Sequence, residues 1–186
     1  KDFEKTLSFL ESNQKDVHDL LIKYTDACFL YLRKQVQSGA DVIQIFDSWA
    51  NLLTKEHLIE FSFNYINSLI SALKLDPITK NIPVIIFARN PKCNIEELIN
   101  TSADCISLFW SMNDLNFEVA KNKVAIQGNL DPKILLESDE TIKRETYKIL
   151  ERFKEYPGYI FNLGHGITPD ISPDKIKYLT NIVREY

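Results

Sequence analysis

The residues best placed to do chemistry lie near the end of the sequence, in Tyr159-Ile-Phe-Asn-Leu-Gly-His-Gly-Ile-Thr-Pro-Asp170. Tyr159 to Leu163 is apolar but for one Asn and rich in β-favouring types, which predicts a short buried strand. Gly164 and Gly166 bracket His165, and glycine permits both positive φ and the close approach of a ligand. Ser172 or Asp170 can cap a following helix whose first turn holds Pro173. The pattern sets His165 in a turn at the C-terminal end of a strand, where parallel α/β folds bind ligands. There an imidazole can donate a hydrogen bond to a carboxylate and, once protonated, add charge. A plain tight turn explains the same Gly-His-Gly equally well.

Other candidate groups fall where strand patterns stop. Asp41 to Phe46 reads as a strand running into Asp47-Ser48-Trp49-Ala50. Ser48 can donate to a carboxylate, and Phe46 or Trp49 can offer a flat apolar face, Trp49 being the better match to simple packing. Ile82 to Ala88 is a nearly pure apolar strand that ends at Arg89. A guanidinium pairs with a carboxylate through two parallel bonds, although a solvated arginine also suits this place. Cys105 to Phe109 ends at Trp110, and Val124 to Gln127 is closed by Gly128-Asn-Leu-Asp-Pro132. In that last turn Gly128 allows close backbone approach, while Asn129 and Asp131 suit holding the loop. His18 and His57 fall on amphipathic helices and read as solvated. Cys28, Cys93 and Cys105 have no CxxC or metal-ligand spacing, so reduced, core-filling thiols and no metal are expected.

Helical patterns separate these strands. They cover Asp2 to Leu10, then Asp16 to Ser38-Gly39 with Val17, Leu20, Leu21, Tyr24, Ala27, Cys28, Tyr31 and Leu32 on one face. Further ones run from a Thr54 cap to Lys74, Ile95 to Thr101, Asn113 to Lys121, Asp139 to Phe153 and Pro173 to Glu185. Strand and helix thus alternate five times, with strands apolar on both faces, which predicts a parallel sheet covered by helices. A doubly wound sheet or a (β/α)8 barrel would satisfy the pattern. No linker divides the chain, so residues 1–186 are expected to form a single domain. At 186 residues and 45% hydrophobic the chain can bury one sizeable core, and no apolar run reaches the roughly 18 residues of a membrane span. The net charge of −4 offers no general attraction to nucleic acid or an anionic membrane. Asp2, Glu4 and Lys5 interrupt any signal-peptide-like start, and a cytoplasmic protein is expected.

Asn162-Leu-Gly-His-Gly-Ile, followed by Pro169-Asp and a Pro-opened helix, resembles the C-terminal signature of the uroporphyrinogen decarboxylase family. Phe46-Asp-Ser-x-Ala and Gln127-Gly-Asn-Leu-Asp-Pro are similar to two further motifs of that family, in the same order. The resemblance implies a TIM barrel, of which this chain would be the C-terminal part with about five βα units. Lys1-Asp-Phe-Glu-Lys-Thr looks like the segment that follows a mid-chain, tyrosine- and glycine-rich loop, so a fragment or the ordered part of a longer chain is expected. It further implies decarboxylation of a tetrapyrrole without metal or organic cofactor, a homodimer, and substrate-binding roles for Ser48, His165 and Phe46, with Arg89 as a further substrate-side group. The family's aspartate, arginines and tyrosine come from the other half, so no catalytic residue is assigned in this chain, which alone is expected to be inactive. Two departures stand out: Asn51 where glycine is usual, and Phe109 where the family usually has Asp before Trp. An inactive or partner-dependent half barrel is the alternative. Corrinoid-linked methyltransferases of the same superfamily fit less well, because no His-x-Cys zinc ligand pair is present.

Overall fold

The computed structural model describes residues 3–112 and 116–186. An N-terminal pair of helices, α1 (Glu4–Ser12) and α2 (Gln14–Gln37), leads into β1 (Ile43–Asp47). A 3-10 turn, Ala50–Leu52, is followed by α3 (Lys55–Leu58), a π-helical segment at Ile59–Phe63 and α4 (Asn64–Leu75). Then come β2 (Val84–Ala88), α5 (Ile95–Ile99), β3 (Cys105–Ser107), β4 (Ala125–Gln127), α6 (Asp139–Arg152), β5 (Tyr159–Ile160) and α7 (Pro173–Glu185). The strands form one sheet in the order β1-β2-β3-β4-β5, and every neighbouring pair is parallel. Parallel strands in unreversed order need right-handed crossovers that all fall on one side of the sheet. A doubly wound sheet reverses its order at a switch point, and this one does not. The architecture is therefore part of a (β/α) barrel, with one face toward the helices and the other toward the barrel interior.

The core lies between the sheet and its helices. Ile43, Ile86, Ile106 and Ile126 from the strands meet Ile70 and Leu73 of α4, each of them 2% exposed or less. A second cluster joins Leu130, Leu135, Ile142, Leu179 and Ile182 beneath α6 and α7. Each such buried side chain contributes about 1.5–3 kcal/mol relative to exposure, which is what makes the strands form where the apolar runs are. All five residues of β2 are buried, as its unbroken apolar run requires of a strand covered on both faces. Caps fall largely where the sequence puts them: Thr54 Oγ1 accepts from His57 N at 3.2 Å, and Ser172 Oγ accepts from Asp174 N at 3.2 Å.

Several expectations are corrected. The Asn113 to Lys121 helix is only a 3-10 turn at Phe117–Val119, with Asn113 to Leu115 outside the described residues, as are Lys1 and Asp2 of the first helix. The second helix begins at Gln14 rather than at an Asp16 cap, because Asn13 N bonds Phe9 O and carries the chain on from α1. A π-helical segment interrupts the long helix after Thr54. On α2, Leu32 is buried and Leu21 partly so, whereas Leu20, Tyr24 and Tyr31 are 49%, 60% and 66% exposed. Cys28 shares that exposed flank and is not core filler, while Cys105 is buried and Cys93 half-buried. His18 is not simply solvated: its Nδ1 lies 2.7 Å from the Tyr65 hydroxyl, its Nε2 is 3.3 Å from Glu60 Oε1, and its ring stacks on Phe61. No helix among the described residues is long and apolar enough to cross a membrane.

Candidate active site

The register aligns Phe46, Phe87, Ser107, Gln127 and Ile160 in one row across all five strands. Ile43, Ile45 and Ile86 alternate with this row and pack toward the helices, so the row faces the barrel interior. Its middle is polar: Gln127 Nε2 donates to Ser107 Oγ at 3.0 Å and to Gln44 Oε1 at 3.4 Å. Its β1–β2 side is aromatic, with the Phe46 and Phe87 rings 5.8 Å apart.

Above the row, at the C-terminal ends of the strands, the predicted groups gather. His165 reaches over to β2, with its ring 6.3 Å from Phe87 and 5.9 Å from Phe109. Phe87 therefore touches both Phe46 and His165 and links the two ends of the cleft. Ser48 is exposed in the turn after β1. Arg89 is half-buried, donates its backbone N–H to Asp47 O at 3.0 Å, and lays its guanidinium over the Trp49 ring at 5.9 Å. The structure thus forms two neighbouring groups on one rim, Phe46–Phe87–Phe109–His165 and Ser48–Trp49–Arg89.

Asp47 belongs to the scaffold rather than to the cleft. Its Oδ1 accepts from Trp49 N at 3.3 Å and its Oδ2 from Ser62 Oγ at 2.5 Å, which ties the turn after β1 to the π-helical segment. Asn129 has the loop-holding role its type suggests, with Nδ2 donating to the carbonyls of Phe109 at 3.2 Å and Trp110 at 3.4 Å. Asp131 Oδ1 accepts from Lys133 N at 3.0 Å. Gly128, at φ +125°, serves a backbone shape that side chains rarely adopt. The glycines around His165 act differently from expectation, since neither has positive φ. A Cβ on Gly164 would lie 2.4 Å from Trp110 N, so Gly164 allows the loop after β5 to press on the loop after β3, whereas Gly166 faces open space. Burial raises the Tyr159 hydroxyl pKa, keeping it a neutral donor to Gly128 O beneath the cleft.

Phe87 and Phe109 were not singled out as contacts by sequence reasoning. Phe87 could have been, because its period-2 position in β2 matches that of Phe46 in β1 once the register is known.

Unreversed parallel order, helices on one side and ligand-type groups at the strand C-termini define a (β/α)-barrel protein with a cleft at the barrel mouth, here in five units. The uroporphyrinogen decarboxylase (URO-D) family model matches residues 1–186, and the chain belongs to that family. It is 38% identical over 186 residues to the uroporphyrinogen decarboxylase of Vesicomyosocius okutanii, covering 99% of this chain and 53% of the relative. With that of Aquifex aeolicus it shares 38% identity over 186 residues, covering 100% of this chain and 54% of the relative. The chain spans about half the length of the curated relatives it matches. A methyltransferase from Methanosarcina mazei has the same fold over 93% of this chain and 53% of its own, with a TM-score of 0.68 at 21% identity. That likeness concerns the fold alone.

Proposed function

We propose that this chain forms the substrate-holding C-terminal part of a uroporphyrinogen decarboxylase, which converts the four acetate side chains of uroporphyrinogen III to the methyl groups of coproporphyrinogen III. One observation carries the reading: an aromatic floor of Phe46, Phe87 and Phe109 is bordered at the same rim by His165, Ser48 and Arg89. A flat apolar macrocycle fringed with carboxylates needs that pairing of surfaces. In the chemistry, a pyrrole carbon is protonated and the acetate C–C bond breaks. CO2 leaves and its bonding electrons neutralise the ring as an exocyclic methylene. A second proton on that methylene makes the methyl group, and the first proton then departs from the ring carbon to restore the pyrrole. The ring is its own electron sink, so the protein's task is to orient the macrocycle, stabilise its transient positive charge and deliver protons. His165, Ser48 and Arg89 suit the orienting part. None of them can stabilise ring cation, so turnover requires groups from the rest of the barrel.

Two grooves favour a barrel completed by further polypeptide. One of about 430 Å³ borders β1 and the turn after it, lined by Leu7 and Leu10 of α1, Leu21 of α2, Ile45, Trp49 and Phe61. The other, about 350 Å³, lies between β5 and α7, lined by Phe161, Leu163, Ile176, Leu179 and Val183. Each flanks an edge strand whose outer backbone groups have no strand partner among the described residues. The exposed flank of α2, with Leu20, Tyr24 and Tyr31, turns away from α4, to which the same helix is tied through Arg33–Asp76 and His18–Tyr65. We propose that a unit of about three further βα repeats closes the barrel here, and that the whole protein is a cytoplasmic homodimer, whose mass sedimentation would report.

The test is anaerobic turnover of uroporphyrinogen III, read as coproporphyrin by chromatography after oxidation. The natural-length protein is expected to convert the substrate and residues 1–186 alone to bind it without conversion. No conversion by the natural-length protein would overturn the decarboxylase reading. It would leave the second reading, an inactive or partner-dependent half barrel, which the two open grooves also favour.

A further inference from the structure

We propose that Phe109 is a positioning residue for His165: its ring forms one wall of an aromatic corner that fixes the imidazole in the cleft. The inference rests on the decarboxylase reading and goes beyond it by naming what orients the imidazole. His165 sits on an exposed loop, and the one hydrogen bond its side chain makes among the described residues is a 3.4 Å contact between Nδ1 and the neighbouring Gly166 O. Such a long contact does little to hold a ring. The aromatic contacts are better defined. Phe109 lies 5.9 Å from the imidazole at an interplanar angle of 89°, and Phe87 lies 6.3 Å away at 69°. Both fall within the edge-to-face geometry that aromatic pairs prefer.

The walls of the corner are themselves fixed. Phe87 and Phe109 are each 7% exposed and stand 6.5 Å apart. Trp110 backs Phe109 at 5.3 Å, and Asn129 Nδ2 holds the Phe109 carbonyl at 3.2 Å. The missing side chain of Gly164 lets the His165 loop seat directly on the Trp110 backbone. Thus the loops after β3 and β5 meet, and Phe109 is the side chain that converts their contact into an orientation of His165. An imidazole oriented before the ligand arrives pays no ordering cost on binding a substrate carboxylate.

The test uses the natural-length protein and its Phe109→Leu and Phe109→Tyr variants, with uroporphyrinogen III as substrate. Losing one edge-to-face contact is expected to raise KM about two- to tenfold with little change in kcat. Phe109→Tyr, which keeps the ring, is expected to restore KM. By NMR, the His165 ring protons, assigned through His165→Gln, are expected to show cross-relaxation to Phe109 ring protons. Their resonances should move toward those of a free imidazole in Phe109→Leu. A folded Phe109→Leu protein with unchanged KM and unchanged His165 resonances would overturn the proposal. Should Phe109→Leu fail to fold, absence of His165–Phe109 cross-relaxation in the parent protein would overturn it equally. Failure of the parent to turn over uroporphyrinogen would count against the decarboxylase reading instead, and the NMR arm would still decide the role of Phe109.

Discussion

Alanine at position 164 tests the contact on which the geometry of the cleft depends. A Cβ there would lie 2.4 Å from Trp110 N, 2.5 Å from Trp110 Cα and 2.7 Å from Trp110 Cβ, all atoms that no rotamer change can move. The loop after β5 must lift. Overpacking of this kind costs about 1–3 kcal/mol. Lifting also strains the 2.8 Å bond from Gly164 N to Leu130 O, worth about 0.5–1.5 kcal/mol. Together these give about 2–4 kcal/mol, or roughly 5–15 °C in Tm for a chain of this size. Gly166→Ala is the internal control, two residues away with nothing within 4 Å, and is expected to stay within about 0.5 kcal/mol of the parent. Urea and thermal unfolding followed by circular dichroism would measure both. Equal effects from the two substitutions, or a neutral Gly164→Ala, would refute the packing of the two loops and with it the placement of His165.

Three further outcomes are expected. Cys28 should react quickly with a thiol reagent, whereas Cys93 and Cys105, whose thiols burial pushes up to about 12, should label only on unfolding. Cys28 labelling as fast in the natural-length protein as in residues 1–186 would argue against coverage of the α2 flank. Burial works against ionising Asp76, but the backbone N–H groups of Ile78 and Thr79 and the Arg33 guanidinium outweigh it and hold its pKa below the ordinary carboxylate value. A depressed folded pKa contributes stability that is present above the unfolded value and lost as pH falls through the folded one. Asp76→Asn should therefore lower the urea midpoint at pH 7 and flatten the loss of stability below about pH 4; an unchanged acid limb would contradict this. Asn51 Oδ1 is buried without a hydrogen-bond partner among the described residues. Asn51→Ala should thus be neutral or stabilising by up to about 1 kcal/mol in thermal unfolding, and a clear loss would show that the amide has a role there.

How far the sequence could be read depended on whether a feature was local. Ile82 to Ala88 announces a strand because five successive apolar residues can be satisfied only by burial on both faces, and β2 is buried throughout. The loop role of Asn129 was legible because turn chemistry is set within a few residues. The α2 stripe was legible as apolar, but its exposure was not, because burial is decided by what packs on a helix and not by its own periodicity. Likewise the reason for Gly164 lies in Trp110, more than fifty positions away, and only the register of β3, β4 and β5 brings the two together. The Phe109–His165 contact depends on the same long-range arrangement, whereas the bond from Ser62 that occupies Asp47 depends on how the π-helical segment returns to the end of β1.

Burial along the transverse row separates what a ligand would cover from what the barrel itself would cover. Phe87, Ser107 and Gln127 in the middle are 7%, 4% and 5% exposed, while Phe46 and Ile160 at the two ends are 63% and 43% exposed. All five stand at the same height in the sheet, so the difference arises from lateral neighbours: three members have a strand on each side, and two do not. Much of the exposed face of Phe46 therefore lies at an edge strand that has no outer strand neighbour among the described residues. Closure of the barrel would bury Phe46 from the side and leave the aromatic cleft open only at its mouth, where Phe109, His165, Ser48 and Arg89 stand. On the proposed decarboxylase reading, substrate contact would then concentrate on His165, Ser48 and Arg89, with Phe109 behind His165, and Phe46 would form the deeper, partly structural end of the floor.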